Sequence, residues 1–203
     1  MRRMQGFTLL EVIVAISLLG LLLVLVASSF STGNRSLQSS AQYAERLDEV
    51  RASQRFVRQA LQDVRPLALT DAGGWERLFE GDAQRLRFFA PVPLGIGGGL
   101  KLHELASVQG SDGAWQLKVK FFELDGERPW GSEQVLMTRL QQLHFSYRGL
   151  DEERRMTGWL DQWPWPERLP QRVRIQAEAD GPVRWPLISV AIRTGQQVGA
   201  LAQ

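Results

Sequence analysis

The sequence predicts an α+β fold, a long N-terminal helix packed on a mainly antiparallel β-sheet domain. Three observations predict it. An apolar run extends from Phe7 to Phe30 with Glu11 as its single charge. A stripe of apolar residues at helical spacing follows that run. Beyond residue 70 the apolar period shifts to two, and one long helix followed by strands is the signature of an α+β domain.

The first element is the apolar run. At about 1.5 Å per residue it crosses a hydrocarbon core of roughly 30 Å with some tilt to spare. Arg2 and Arg3 precede it, and the next cation is Arg35. The bias of basic residues toward the cytoplasm therefore puts residues 1–6 inside and the rest on the far side of the membrane. A secretory signal peptide has a shorter apolar stretch with a small-residue cleavage site after it. Here the small residue, Gly6, comes before the run. Glu11 is the anomaly. A carboxylate deep in a membrane helix costs on the order of 2.5–3.5 kcal/mol, less near the end of the span, and such a residue usually meets a partner charge.

The second element is amphipathic. Leu37, Ala41, Ala44, Leu47, Val50, Val57, Leu61 and Val64 recur at three- and four-residue spacing. Gln54 fills the gap in that stripe, and Phe56 and Ala60 widen it. The stripe packs on the sheet of its own domain, which leaves the opposite, charged face free for other contacts. Pro66 ends the pattern, and Gly33 sits where the two helical stretches join.

The strands follow. Leu86–Ala90 is a short one. Trp115–Phe121 alternates with Lys118 and Lys120 outward, and Gln134–Thr138, Leu143–Tyr147 and Val173–Ala179 come next. Asp180-Gly181 marks a tight turn into Trp185–Ile192. Pro91–Gly99 is a flexible excursion between strands; with no Gly-Lys-Ser/Thr after it, it is not a phosphate loop. Trp159–Pro170 combines tryptophans and prolines in a stiff, irregular segment. Its Trp159, Trp163 and Trp165 either cover the edge of the core or form a partner interface, where exposed aromatics are common anchors.

Composition narrows the function. The chain has 203 residues, 44% hydrophobic and 23% charged, with a formal net charge of +2. Outside the N-terminal helix about 130 residues remain, enough for one compact domain. No basic stripe marks a nucleic-acid partner. The absence of Cys excludes thiolate metal sites and thiol catalysis. His103 and His144 are the only histidines, and no nucleophile is tied to either. Asp151-Glu152-Glu153 is followed at once by Arg154-Arg155, which argues against a calcium site. The expectation is no enzyme, no metal and no cofactor.

The string Gly6-Phe7-Thr8-Leu9-Leu10-Glu11-Val12 after a short basic leader resembles the processing signal of type IV pilins and type II secretion pseudopilins. The resemblance implies cleavage between Gly6 and Phe7 by a prepilin peptidase, N-methylation at Phe7, and an assembly role for Glu11, whose carboxylate neutralises the new α-amine of the same or a neighbouring subunit. Gly6 leaves the scissile bond unobstructed. Farther on, Leu140–Arg148, then Trp159 to Pro164, then Leu169-Pro170-Gln171-Arg172-Val173-Arg174-Ile175 resemble the J-type minor pseudopilins of type II secretion. Residues 91–113, rich in glycine, depart from that pattern.

The resemblance implies a cytoplasmic leader over 1–6 that is removed, a transmembrane helix over 7–30, an amphipathic periplasmic helix over 31–66 and a periplasmic β-rich domain over 67–203. It places the protein in the inner membrane, single-pass. Its implied partners are I-type and K-type minor pseudopilins and the major pseudopilin, in a filament-tip complex that primes assembly for export of folded proteins. Two other readings stand beside it: a minor pilin of a type IV pilus or DNA-uptake machine, and a membrane-anchored periplasmic binding module or enzyme.

Overall fold

The computed structural model describes residues 8–70, 76–110 and 113–193, without the side chains of 27–39, 70 and 96. The chain divides into two compact units, Met1–Glu45 and Arg46–Gln203. Helix α1, Leu9–Gln62, contributes residues to both. In the first unit its segment Leu9–Val26 is long and apolar enough to cross a membrane, and none of it is buried by the chain itself. A helix that is apolar all round needs lipid or other helices about it. Ser17 donates its hydroxyl to the Ile13 carbonyl at 2.8 Å, so it carries no unpaired polar group into the span.

The second unit is a meander. Strands β3 (Phe79–Gly81), β4 (Arg85–Pro91), β5 (Leu100–Gln109), β6 (Trp115–Phe122), β7 (Pro129–Arg148), β8 (Arg172–Ala179) and β9 (Ile188–Ala191) form one sheet in chain order, antiparallel throughout. A small ladder pairs β1 (Leu69–Thr70) with β2 (Glu76–Arg77). Alternation works as expected on β6 and β8. Leu117, Val119 and Phe121 are buried, while Lys118 and Lys120 reach out to Glu133 at 2.7 and 2.9 Å.

The sheet curls, and β7 is the reason. Its first half pairs with β6 up to Leu140, and its second half pairs with β8 from Leu140 onward. On the side that β6 vacates, the Phe145 amide donates to Ala83 at 2.9 Å, and Tyr147 and Leu160 exchange two bonds of 2.8 Å. The buried Tyr147 hydroxyl donates to the Asp82 carbonyl at 2.7 Å. The β3–β4 corner is thereby drawn against the far end of the sheet.

The other side of β7 faces α1. Among the described residues no strand covers Pro129–Arg139 there, and the helix satisfies the edge with side chains. Glu49 accepts from the Thr138 amide at 2.9 Å and from its hydroxyl at 3.1 Å. Ser53 donates to the Leu136 carbonyl. Arg46, only 4% exposed, donates to the Thr138 and Arg139 carbonyls at 2.7 and 3.2 Å and pairs with Glu49 at 2.5 Å. Burial raises the Glu49 pKa, but the Thr138 amide and the Arg46 guanidinium outweigh it, and the net shift is downward.

Several sequence expectations change. The buried stripe of α1 holds Val50, Val57, Ala60, Leu61 and Val64, whereas Ala41 and Ala44 are exposed and Leu37 lies outside the described side chains. The helix closes at Gln62, before Pro66. Strand β5 escaped the period-two reading because His103 and Ser107 occupy inward positions beside Leu105. Gln134–Thr138 and Leu143–Tyr147 belong to one strand, interrupted by a register shift between Leu140 and Gln142 and by Arg139 at φ 50. Residues after Asp180 remain irregular until β9, although Trp185 is buried. The Pro91–Gly99 excursion is closed at its base, Val92 donating to Gly99 at 2.8 Å. It turns on Gly97, Gly98 and Gly99, all at positive φ.

Candidate functional site

Gly6 and Phe7 lie outside the described residues. The described part of the motif begins at Thr8, and its geometry is that of a helix start. Helix α1 opens at Leu9, and the Glu11 amide donates back to the Thr8 carbonyl at 3.1 Å and to the Thr8 hydroxyl at 3.4 Å. The Val12 amide also reaches the Thr8 carbonyl, at 3.3 Å. Thr8 is the N-cap, and Thr8-Leu9-Leu10-Glu11 has the Ser/Thr-x-x-Glu order of a capping box. Glu11 stands in the first turn, where the positive end of the helix dipole favours a carboxylate by about 0.3–1 kcal/mol. The sequence reading demanded a second charge for Glu11; the helix start supplies part of that positive field. The signal was present in the sequence, in the three-residue offset from Thr8.

The three tryptophans fall into different environments. Trp163, 4% exposed, is a core residue. Its indole donates to the Arg168 carbonyl at 2.8 Å, and its amide donates to Gly81 at 2.9 Å. A Cβ on Gly149 would stand 2.6 Å from its ring, so glycine is required there for the close approach. Trp165 sits edge-on to Trp163 at 5.0 Å, half-buried, with the Arg168 guanidinium over its ring at 5.2 Å, and its indole N–H donates to Glu152 at 3.2 Å. Trp159 is half-buried under the Arg174 guanidinium at 4.4 Å. Pro166 accepts from the Leu78 and Phe79 amides at 2.7 and 3.1 Å, which covers the outer edge of β3. The segment thus does core work through Trp163 and leaves Trp159 and Trp165 partly accessible.

The remaining candidates do not converge. His103 is fully buried among Phe56, Phe88 and Phe121, with ring centroids 6.3, 5.5 and 4.8 Å away. A carbonyl only accepts, so the 3.1 Å contact from Nδ1 to Lys101 assigns the proton to Nδ1 and leaves Nε2 bare and unpartnered. Burial drives its pKa down to about 4, the Lys101 carbonyl opposing this in part. His144 pairs with Asp161 at 2.8 Å, and no nucleophilic side chain bonds to it among the described residues. Asp151 is taken up by the Arg155 amide at 2.7 Å and its side chain at 3.2 Å, and Glu153 by Arg155 at 3.0 Å. The Arg155 contacts, led by its amide, hold Asp151 below its ordinary pKa.

Two comparisons with known proteins bear on the motif and on the whole chain. Residues 1–27 match the prokaryotic N-terminal methylation motif. The type II secretion system protein J of Xanthomonas campestris pv. campestris is 35% identical over 209 residues, covering 99% of this chain and 99% of that protein. A likeness of that extent spans the helix, the sheet and the Trp-Pro segment alike, and this chain belongs to the family of type II secretion system protein J.

Proposed function

We propose that this protein is a minor pseudopilin that is cut between Gly6 and Phe7, methylated at Phe7, held in the inner membrane by its apolar helix with the β-rich domain in the periplasm, and built into the tip of a type II secretion pseudopilus. The observation that carries this reading is the methylation motif at residues 1–27 in a chain related along its whole length to protein J. The capped helix start supports it. Thr8 fixes where the helix begins, so Glu11 sits in its first turn, four residues past Phe7 in the sequence. I-type and K-type minor pseudopilins and the major pseudopilin are the partners, and a prepilin peptidase is the processing enzyme. The protein acts by assembly and catalyses nothing itself.

Processing tests the first half of the reading. With Gly6→Leu, the full-length precursor is expected to accumulate uncut in the membrane, read as a mass difference against the wild type. A leader removed at the normal rate would overturn the assignment. Glu11→Val tests the second half. The variant is expected to be cut normally yet to drop out of isolated filaments and to lower export of folded substrate at least tenfold. Normal incorporation would show that the carboxylate is dispensable.

A further inference from the structure

The outward face of α1 in the second unit carries Arg51, Arg55 and Arg58. Their four- and three-residue spacing puts them on one side of the helix, turned away from the face of Val50, Val57 and Leu61 that packs on the sheet. All three are exposed, and none makes an ion pair or hydrogen bond among the described residues. On its own this row is unfavourable. Like charges three and four residues apart destabilise a helix by about 0.2–0.5 kcal/mol per pair. The helix dipole gives no compensation, because it acts within the last turn and no basic residue lies there. Asp48, exposed three residues before Arg51, forms no ion pair with it among the described residues. Elsewhere the helix neutralises its cation: Arg46 is buried against Glu49.

We propose that Arg51, Arg55 and Arg58 form a docking surface for an acidic helix face of a neighbouring pilus subunit, one that carries carboxylates three and four residues apart. Two parallel rows of that spacing put each guanidinium opposite a carboxylate, which converts the self-repulsion into cross-subunit pairing and fixes the axial register of the two helices. This rests on the assembly reading above, since it needs subunits packed side by side. Guanidinium groups suit the task because their planar fork meets a carboxylate with two bonds at once.

The test uses the full-length chain, purified in neutral detergent, with the I-type and K-type minor pseudopilins of the same secretion system as probes. The triple variant Arg51→Glu, Arg55→Glu, Arg58→Glu is expected to keep the wild-type helicity and melting temperature, because the sites are exposed and Glu is as good a helix former as Arg. It is expected to capture at least tenfold less of one partner. Wild-type capture is expected to weaken between 50 and 500 mM salt by a similar factor, and Glu→Lys or Asp→Lys reversal on that partner's helix to restore binding to the triple variant. Equal capture by wild type and variant at both salts overturns the docking surface while leaving the assembly reading in place. Capture unchanged, with retention on phosphatidylglycerol-doped micelles lost, overturns it in favour of a lipid-facing row. A wild-type chain that captures neither subunit overturns the assembly reading and this surface with it.

Discussion

Acidification from pH 7 to pH 4 is expected to remove about 3 kcal/mol from the stability of the sheet domain through His103 alone. The ring is enclosed by Phe56, Phe88 and Phe121, and its bare Nε2 has no partner to receive a proton's charge. Its pKa falls from an ordinary 6.5 to about 4 in the folded protein. The unfolded chain therefore binds the proton first, at higher pH. The stability that His103 contributes as a neutral ring is complete above pH 6.5 and is lost as the pH falls from 6.5 toward 4. At about 1.36 kcal/mol for each pH unit between the two values, the total is about 3 kcal/mol, with roughly 2 kcal/mol gone by pH 5. Urea unfolding at pH 7, 5 and 4 measures it. His103→Phe is expected to flatten the decline across that window. Parallel losses in the wild type and the variant would assign the acid sensitivity to other groups.

Glu49→Ala is expected to cost about 3 kcal/mol, the low end for removing one member of a buried ion pair, because Arg46 is buried and Glu49 only partly so. Three losses coincide. Arg46, 4% exposed, is left without its carboxylate, and the Thr138 amide and hydroxyl lose their acceptor. Glu49→Gln keeps an acceptor for Thr138 and is expected to cost about half as much. The double variant Arg46→Met, Glu49→Met is expected to be milder than the sum of the singles, because no charge is stranded. A double-mutant cycle by thermal and urea unfolding checks this, and additive losses would refute the coupling. Because the Glu49 pKa is lowered from 4.5, its contribution is present above pH 4.5 and disappears only below it. Most of the His103 loss comes at higher pH, so the two groups separate in one titration.

The sequence announced the elements whose inward positions are all apolar. Strands β6 and β8 alternate without interruption, and the helical stripe from Leu47 to Val64 repeats cleanly. It concealed β5 because His103 and Ser107 point inward, and a strand with polar inward residues has no apolar period to detect. It divided β7 because Arg139 adopts positive φ and because residues 131–135 are exposed on both alternations. The contacts of Glu49 with Thr138 and of Trp163 with Gly81 join residues far apart in the chain, for which no local pattern exists. At the N-terminal motif the charge of Glu11 was legible, and the cap that precedes it was equally legible in Thr8. Among the tryptophans, composition could not separate Trp163, which the core absorbs, from Trp159 and Trp165 beside it.

The edge of β3 has a consequence in time. Its cover comes from Trp163 and Pro166, roughly eighty residues later in the chain, so loop closure over that distance must precede a finished sheet. A chain delivered from its N-terminus presents Leu78–Gly81 long before the segment that occupies its backbone groups exists. During that interval the edge is open to any unpaired strand, including the same edge of another unfinished copy. Pro164 and Pro166 cannot extend a ladder, so once the segment docks it ends the sheet and offers no further edge. The period of greatest hazard for this domain is therefore set by the rate at which the chain emerges, and it closes with a proline.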